Sequence, residues 1–253
     1  MGREDVELRR ALEFVRGFAR RRAPRVVDVP GGFAVLDDRY PGSYDDNKLV
    51  VWAGDDPGVV LEAAERVLGG REHRQVNVDD DALGAAFAPT FAAAGYEHEE
   101  TLVMVFRGAP PAGPPEAERL EVAELLPVVR ESWRATLPEA SEEVVDGLAR
   151  RIETRLRGAD RVGFRGVRAA DGGLAAYADL YAHEGVAQIE SLVTLARHRG
   201  NGHARALMRS LLAETAGADL VFLLADAADW PKDFYARLGF ETAGRTHSFL
   251  KTP

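Results

Sequence analysis

Four prolines within eight residues, Gly108-Ala-Pro-Pro-Ala-Gly-Pro-Pro115, set the first limit on how this chain folds. Proline removes a backbone donor and fixes its own φ, so neither a helix interior nor a central strand passes through such a run. The run reads as a linker, residues 109–115, between a domain of residues 1–108 and a domain of residues 116–253. With 253 residues, 46% of them hydrophobic, there is material for two cores.

There is no cysteine, which excludes disulfides, thiolate metal sites and cysteine nucleophiles. A net charge of −9 argues against nucleic acid as a partner. The basic cluster Arg20, Arg21, Arg22 and Arg25 is read as a helix C-terminus, where the macrodipole favours cations. No apolar run has the length of a membrane span, and no signal-type stretch follows the charged first residues. The expectation is a cytoplasmic protein without a membrane partner.

Both parts alternate strands and helices, an α/β pattern with a mixed central sheet flanked by helices. In the first part, strands are expected at 33–36, 49–52, 75–78 and 101–106. Its helices are expected near the N-terminus, after Pro57 and over 82–94. In the second part, strands are expected at 120–122, 162–167, 174–180, 186–194, 220–225 and 248–251. Helices there should cover 125–136, 142–157, 203–215 and 231–238. The two parts end alike: Phe91-Ala-Ala-Ala-Gly95-Tyr96-Glu97 aligns with Tyr235-Ala-Arg-Leu-Gly239-Phe240-Glu241. Each reads as a helix stopped by a left-handed glycine and an aromatic residue entering a strand. Unrelated α/β folds share that ending, so it is compatible with a tandem of two related domains without requiring one.

The most informative stretch follows the strand at 186–194. Arg199-Gly200-Asn201-Gly202-His203-Ala204-Arg205 leads into a helix with Leu207, Met208, Leu211 and Leu212 at buried spacing. Glycines let consecutive N–H groups form a concavity, and the helix N-terminus adds unpaired donors, so the loop suits a pyrophosphate. A nucleotide P-loop would need Gly-Lys-Ser/Thr, and a dinucleotide loop a third glycine.

The loop resembles the pyrophosphate-binding motif of the GNAT acyltransferase superfamily, Gln/Arg-x-x-Gly-x-Gly/Ala, with Arg199, Gly202 and Ala204 in register. The segment from Asp229-Trp-Pro to Tyr235-Ala-Arg-Leu-Gly239-Phe240 is similar to that family's second signature. The resemblance implies the acyl-CoA N-acyltransferase fold and acetyl-coenzyme A as acyl donor. It further implies pantetheine contacts from the backbone of Leu192, Val193 and Thr194 beside a β-bulge. The pyrophosphate falls to Arg199, Gly200, Asn201, Gly202, His203, Ala204 and Arg205. Asp229 stands where the family often has asparagine.

By the same resemblance Tyr235 protonates the departing thiolate, and Glu190 takes the proton of the attacking amine. Simple strand alternation puts Glu190 on the face of Thr194, four residues on. The acceptor is an amine on a small molecule or a peptide. The six histidines show no ligand spacing, so no metal is expected. In the first part no such loop lies between residues 75 and 94, and Asp79-Asp80-Asp81 falls where one is expected. That part is read as a degenerate copy that shapes the acceptor pocket or mediates a homodimer. The alternative to an enzyme is a non-catalytic acetyl-coenzyme A sensor.

Overall fold

The computed structural model describes residues 2–112 and 116–253; the end of the expected linker, 113–115, lies outside the described residues. The chain forms two compact units, one of Met1–Met104 with Leu224–Pro253, the other of Val105–Leu223. In order come α1 (Arg3–Arg22), β1 (Arg25–Val29), β2 (Gly32–Leu36), β3 (Lys48–Val51), α2 (Pro57–Leu68), β4 (Arg74–Val78), α3 (Asp81–Ala93) and β5 (Glu97–Phe106). There follow β6 (Glu118–Leu120), α4 (Val122–Thr136), α5 (Glu142–Arg150), α6 (Ile152–Arg155), β7 (Arg161–Arg168), β8 (Leu174–His183), β9 (Val186–Thr194), α7 (His203–Glu214) and β10 (Leu220–Asp226). Last come α8 (Pro231–Ala236) and β11 (Phe240–Lys251). No helix among the described residues is long and apolar enough to cross a membrane.

In the first unit the strand order is β1-β2-β3-β4-β11-β5. β3 and β4 run parallel, joined by α2, whereas β11 runs antiparallel to β4 with His247 opposite Val78 and Lys251 opposite Arg74. Two aspartates start the helices that cover this sheet. Asp56 accepts from the Gly58 N–H ahead of α2, and Asp80 accepts from the Leu83 N–H ahead of α3. Leu49, Val76, Phe87, Phe91 and Phe249 are fully buried between helices and sheet. Each such side chain stabilises by about 1.5–3 kcal/mol.

The basic cluster is structural. Arg20, Arg21 and Arg22 close α1, where Arg20 stacks on Phe33 and the largely buried Arg22 pairs with Asp46. Arg25 instead opens β1, a strand the periodicity did not show. The acidic run is structural too. Asp79 is buried against Arg16 at 2.9 Å, Asp80 caps α3, and Asp81 accepts from His247 Nε2 at 3.0 Å. In the parallel strand–helix–strand unit formed by β3, α2 and β4, residues 52–56 lead into α2. Asp55 and Asp56 stand there, with no Arg-x-x-Gly-x-Gly/Ala pattern.

Gly84 lies inside α3 because a ring occupies its side-chain space: a Cβ there would stand 2.2 Å from His247 Cδ2 and 2.7 Å from its Cβ. Gly84→Ala should therefore destabilise the protein. Overpacking of about 1–3 kcal/mol outweighs the roughly 1 kcal/mol by which alanine favours a helix. A denaturant midpoint equal to or above wild type would show that the His247 ring yields freely.

The second unit is ordered β10-β9-β8-β7-β6, with β9–β10 parallel and the other pairs antiparallel. Leu207, Met208 and Leu211 of α7 are fully buried, as the helical spacing predicts. On the same helix the Ser210 hydroxyl accepts from the N–H groups of Glu116 and Ala117, which fixes the chain where it leaves the linker. The two similar endings recur in the backbone: Gly95 has φ +84° and Gly239 φ +97°, each followed by a buried aromatic residue, Tyr96 and Phe240. Only glycine adopts that region at little cost.

Candidate functional site

After β9 the chain makes one 3-10 turn (Ala196–His198) and reaches the loop. Gly200 (φ +80°) and Gly202 (φ +81°) are both left-handed, and a Cβ on either would meet nothing within 4 Å. The space beside both glycines is open rather than filled by protein. Gly202 caps α7, whose first internal bond runs from the Ala206 N–H to the Gly202 carbonyl at 3.0 Å. The N–H groups of His203, Ala204 and Arg205 thus have no acceptor within the helix. Asn201 braces the loop from inside, its amide donating to the carbonyls of His198 and Arg199. Arg199 and Arg205 are exposed cations beside these donors. Arg199 Nε also donates to the Thr194 carbonyl at 3.3 Å, which ties the loop to the end of β9.

β9 itself is irregular. Its pairing with β10 covers only Val186, Ala187 and Gln188. On the β8 side the register shifts between Tyr177 and Asp179, because three steps along β9 (Glu190 to Val193) match two along β8. The extra residue is a β-bulge at Ser191, whose φ of +54° is a strained value for a non-glycine residue. Beyond it Leu192, Val193 and Thr194 are only partly buried, and their backbone edge away from β8 makes no ladder with β10. An extended chain can pair along such an edge. The bulge also corrects one expectation. Glu190 lies opposite Asp179 and Thr194 opposite Ala176, three residues apart on β8, so Glu190 and Thr194 face opposite sides of the sheet.

Residues 163–242, from β7 to the start of β11, match the family described as "Acetyltransferase (GNAT) domain". The similarity to a GNAT domain thus covers 80 of the 253 residues. No curated protein matches the chain. Among solved structures it is similar to a functionally unknown conserved protein from Staphylococcus epidermidis ATCC 12228, at 13% identity and TM-score 0.69, covering 91% of this chain and 94% of that one. It is also similar to a GCN5-related N-acetyltransferase from Kribbella flavida, at 21% identity and TM-score 0.64, covering 98% and 96%. A tandem GNAT protein from the clavulanic acid biosynthesis pathway aligns at 18% identity and TM-score 0.53, over 99% and 96%. At these identities the likeness establishes the fold, a mixed α/β GNAT architecture.

Within the matched residues Glu190 sits over a polar cluster that the sequence pattern did not single out. Gln188 Nε2 donates to Glu190 Oε2 at 2.7 Å, and the Ser191 N–H donates to Oε1 at 3.2 Å. On the same face Asp179 is fully buried and accepts from both Arg155 and the Tyr181 hydroxyl. Arg155 reaches on to the Ser191 hydroxyl at 3.3 Å, so the bulge is tied to α6. Burial pushes the Asp179 carboxyl up, with Arg155 and the Tyr181 hydrogen bond acting against it; burial and Asp179 together hold the Tyr181 hydroxyl neutral, as a donor. The available signal was one carboxylate in an apolar run, Ala175-Ala-Tyr-Ala-Asp179-Leu-Tyr181. An acid in such a strand needs a buried partner.

Tyr235 and Asp229 belong to the other unit. Tyr235 is partly buried on α8, its ring packed on Phe234 and Phe240 at 5.5 and 6.1 Å. Pro231 opens α8 as expected, but the cap position is Trp230; Asp229 accepts instead from the Trp230 N–H at 2.7 Å, one residue early. A cavity of about 680 Å³ in the second unit is lined by Arg119, Arg161, His183 and Glu214 among others, and includes neither the end of β9 nor the loop.

Proposed function

We propose that this GNAT domain transfers an acetyl group from acetyl-coenzyme A to an amine, by direct attack in a ternary complex. The observation that carries this is the pair of left-handed glycines heading α7 beside a bulged, unladdered strand edge. The loop residues Arg199–Arg205 hold the pyrophosphate through backbone donors and two guanidinium groups, and Leu192–Thr194 pair with the pantetheine arm. The donor supplies an activated thioester. The protein's share is to align the amine with it, a contribution worth several kcal/mol by itself.

Glu190 takes the proton from the amine nitrogen, its carboxylate oriented by Gln188 and the Ser191 N–H. Tyr235 hands its hydroxyl proton to the departing sulfur, a role that rests on family resemblance. The acceptor is a small-molecule or peptide amine, and a protein of net charge −9 draws cations toward it.

The test follows coenzyme A thiol release over a panel of amines. Saturable release with at least one amine supports the enzyme; tight acetyl-coenzyme A binding with no release from any would favour a sensor. With an accepted amine, Glu190→Gln should lower kcat/KM by about a hundredfold or more while leaving acetyl-coenzyme A affinity intact. Unchanged kcat/KM would remove Glu190 from the proton path.

A further inference from the structure

His98 and Glu100 alternate on β5 and therefore project from one face. β11 is the neighbouring strand, and it brings His247 to them. His98 Nε2 and His247 Nδ1 stand 2.8 Å apart, and one ligand atom from each of His98, Glu100 and His247 lies within 4.8 Å of the others. The two imidazoles lie edge to edge, their centroids 5.1 Å apart with only 11° between their planes, and Phe249 packs against His98 at 4.7 Å. We propose that His98, His247 and Glu100 form a divalent-cation site of the zinc type, held wholly within the first unit.

Three features support it. First, His247 Nε2 faces Asp81 Oδ1 at 3.0 Å. A proton on Nε2 directed at that carboxylate leaves Nδ1 as a bare lone pair aimed at His98, the arrangement of a carboxylate–histidine–metal triad. Second, the imidazole of His247 is immobilised: it is buried, and Gly84 of α3 gives it space that any side chain would take. Third, His98 is exposed, which leaves an entry path and an open position for water.

Two imidazoles with one carboxylate are a zinc donor set that leaves a fourth position free. Ligands about 2.1 Å from a tetrahedral ion stand roughly 3.4 Å apart, so the two nitrogens must separate by about 0.6 Å and the exposed His98 ring must swing until both lone pairs meet at the ion. Glu100 also accepts from Arg245 at 2.7 Å, but a carboxylate has lone pairs for both partners.

The experiment is calorimetric titration of the full-length protein with zinc chloride, repeated with cobalt(II) to read the visible band of a tetrahedral ion. Wild type should bind one zinc per chain and gain thermal stability on binding. His98→Ala, at an exposed position, should fold normally, weaken zinc at least tenfold and lose the cobalt band. Glu100→Gln should behave likewise. Asp81→Asn should weaken zinc about tenfold or more while keeping the band, because it only orients His247. His203→Ala should bind zinc as wild type does. Absence of one-to-one binding in wild type, undiminished binding in His98→Ala, or loss in His203→Ala instead would each overturn the site. None of these readouts depends on acyl transfer.

Discussion

Gly202→Pro is expected to abolish acetyl-coenzyme A binding in a protein that remains folded. Gly202 has φ +81°, and proline is fixed near −65°, so the substitution reverses the local turn while deleting the Gly202 N–H. Redirecting the neighbouring donors costs more than the one lost bond. With hydrogen bonds to charged groups worth about 1.5–3 kcal/mol each, losing two weakens binding about a hundredfold to ten-thousandfold. Gly202 is exposed and no protein atom lies where its side chain would go, so the core should not register the change. Gly202→Ala keeps the N–H and pays only the left-handed penalty of about 1–2 kcal/mol, so it should lie between the two. Calorimetry that finds wild-type affinity in the proline variant would show that the loop does not hold the pyrophosphate.

The second large effect is expected at Tyr235. Tyr235→Phe should lower kcat by about tenfold to a thousandfold with little change in donor affinity, because a proton delivered to a departing sulfur matters only in the transition state. The ring contacts with Phe234 and Phe240 survive in phenylalanine, which separates chemistry from packing. A kcat equal to wild type would leave Tyr235 as one more aromatic side chain supporting Phe240.

What was legible in the sequence was local. The strand β9, the glycine pair and the start of α7 fall where hydrophobic spacing and loop chemistry place them, because a strand, a turn and a helix each write their signal within a few residues. The family motif sits in the same short window. Where a neighbour from far along the chain decides the outcome, the reading stopped short. β11 was expected at 248–251 but begins at Phe240. The strand entered at Phe240 runs unbroken to Lys251, and its polar middle hid that continuity, since His247 and Arg245 are matched by Asp81 and Glu100 from distant segments. β1 was missed for a related reason: Arg25 and Asp28 interrupt its apolar residues, and its partner β2 supplies the ladder.

The bulge at Ser191 shows a subtler loss. Its presence was implied by resemblance, yet one inserted residue turns Glu190 away from the face that plain alternation assigned. The histidines show the same limit in another form. A ligand-spacing rule searches along the chain, whereas His98 and His247 meet across two adjacent strands.

The pairing of β11 with β4 sets the order in which this protein can be made. Leu250 lies opposite Gln75 and Phe249 opposite Val76, so the first unit needs residues from both ends of the described chain. While the ribosome is still adding residues beyond the linker, β4 has β3 on one side and an unfilled edge on the other. The hydrophobic surface under Phe91 lacks Phe249 over the same interval. An open edge beside exposed apolar side chains is where nascent chains associate wrongly. At this position a premature stop or a slow codon run therefore threatens the part of the protein synthesised first, long after its own residues have emerged.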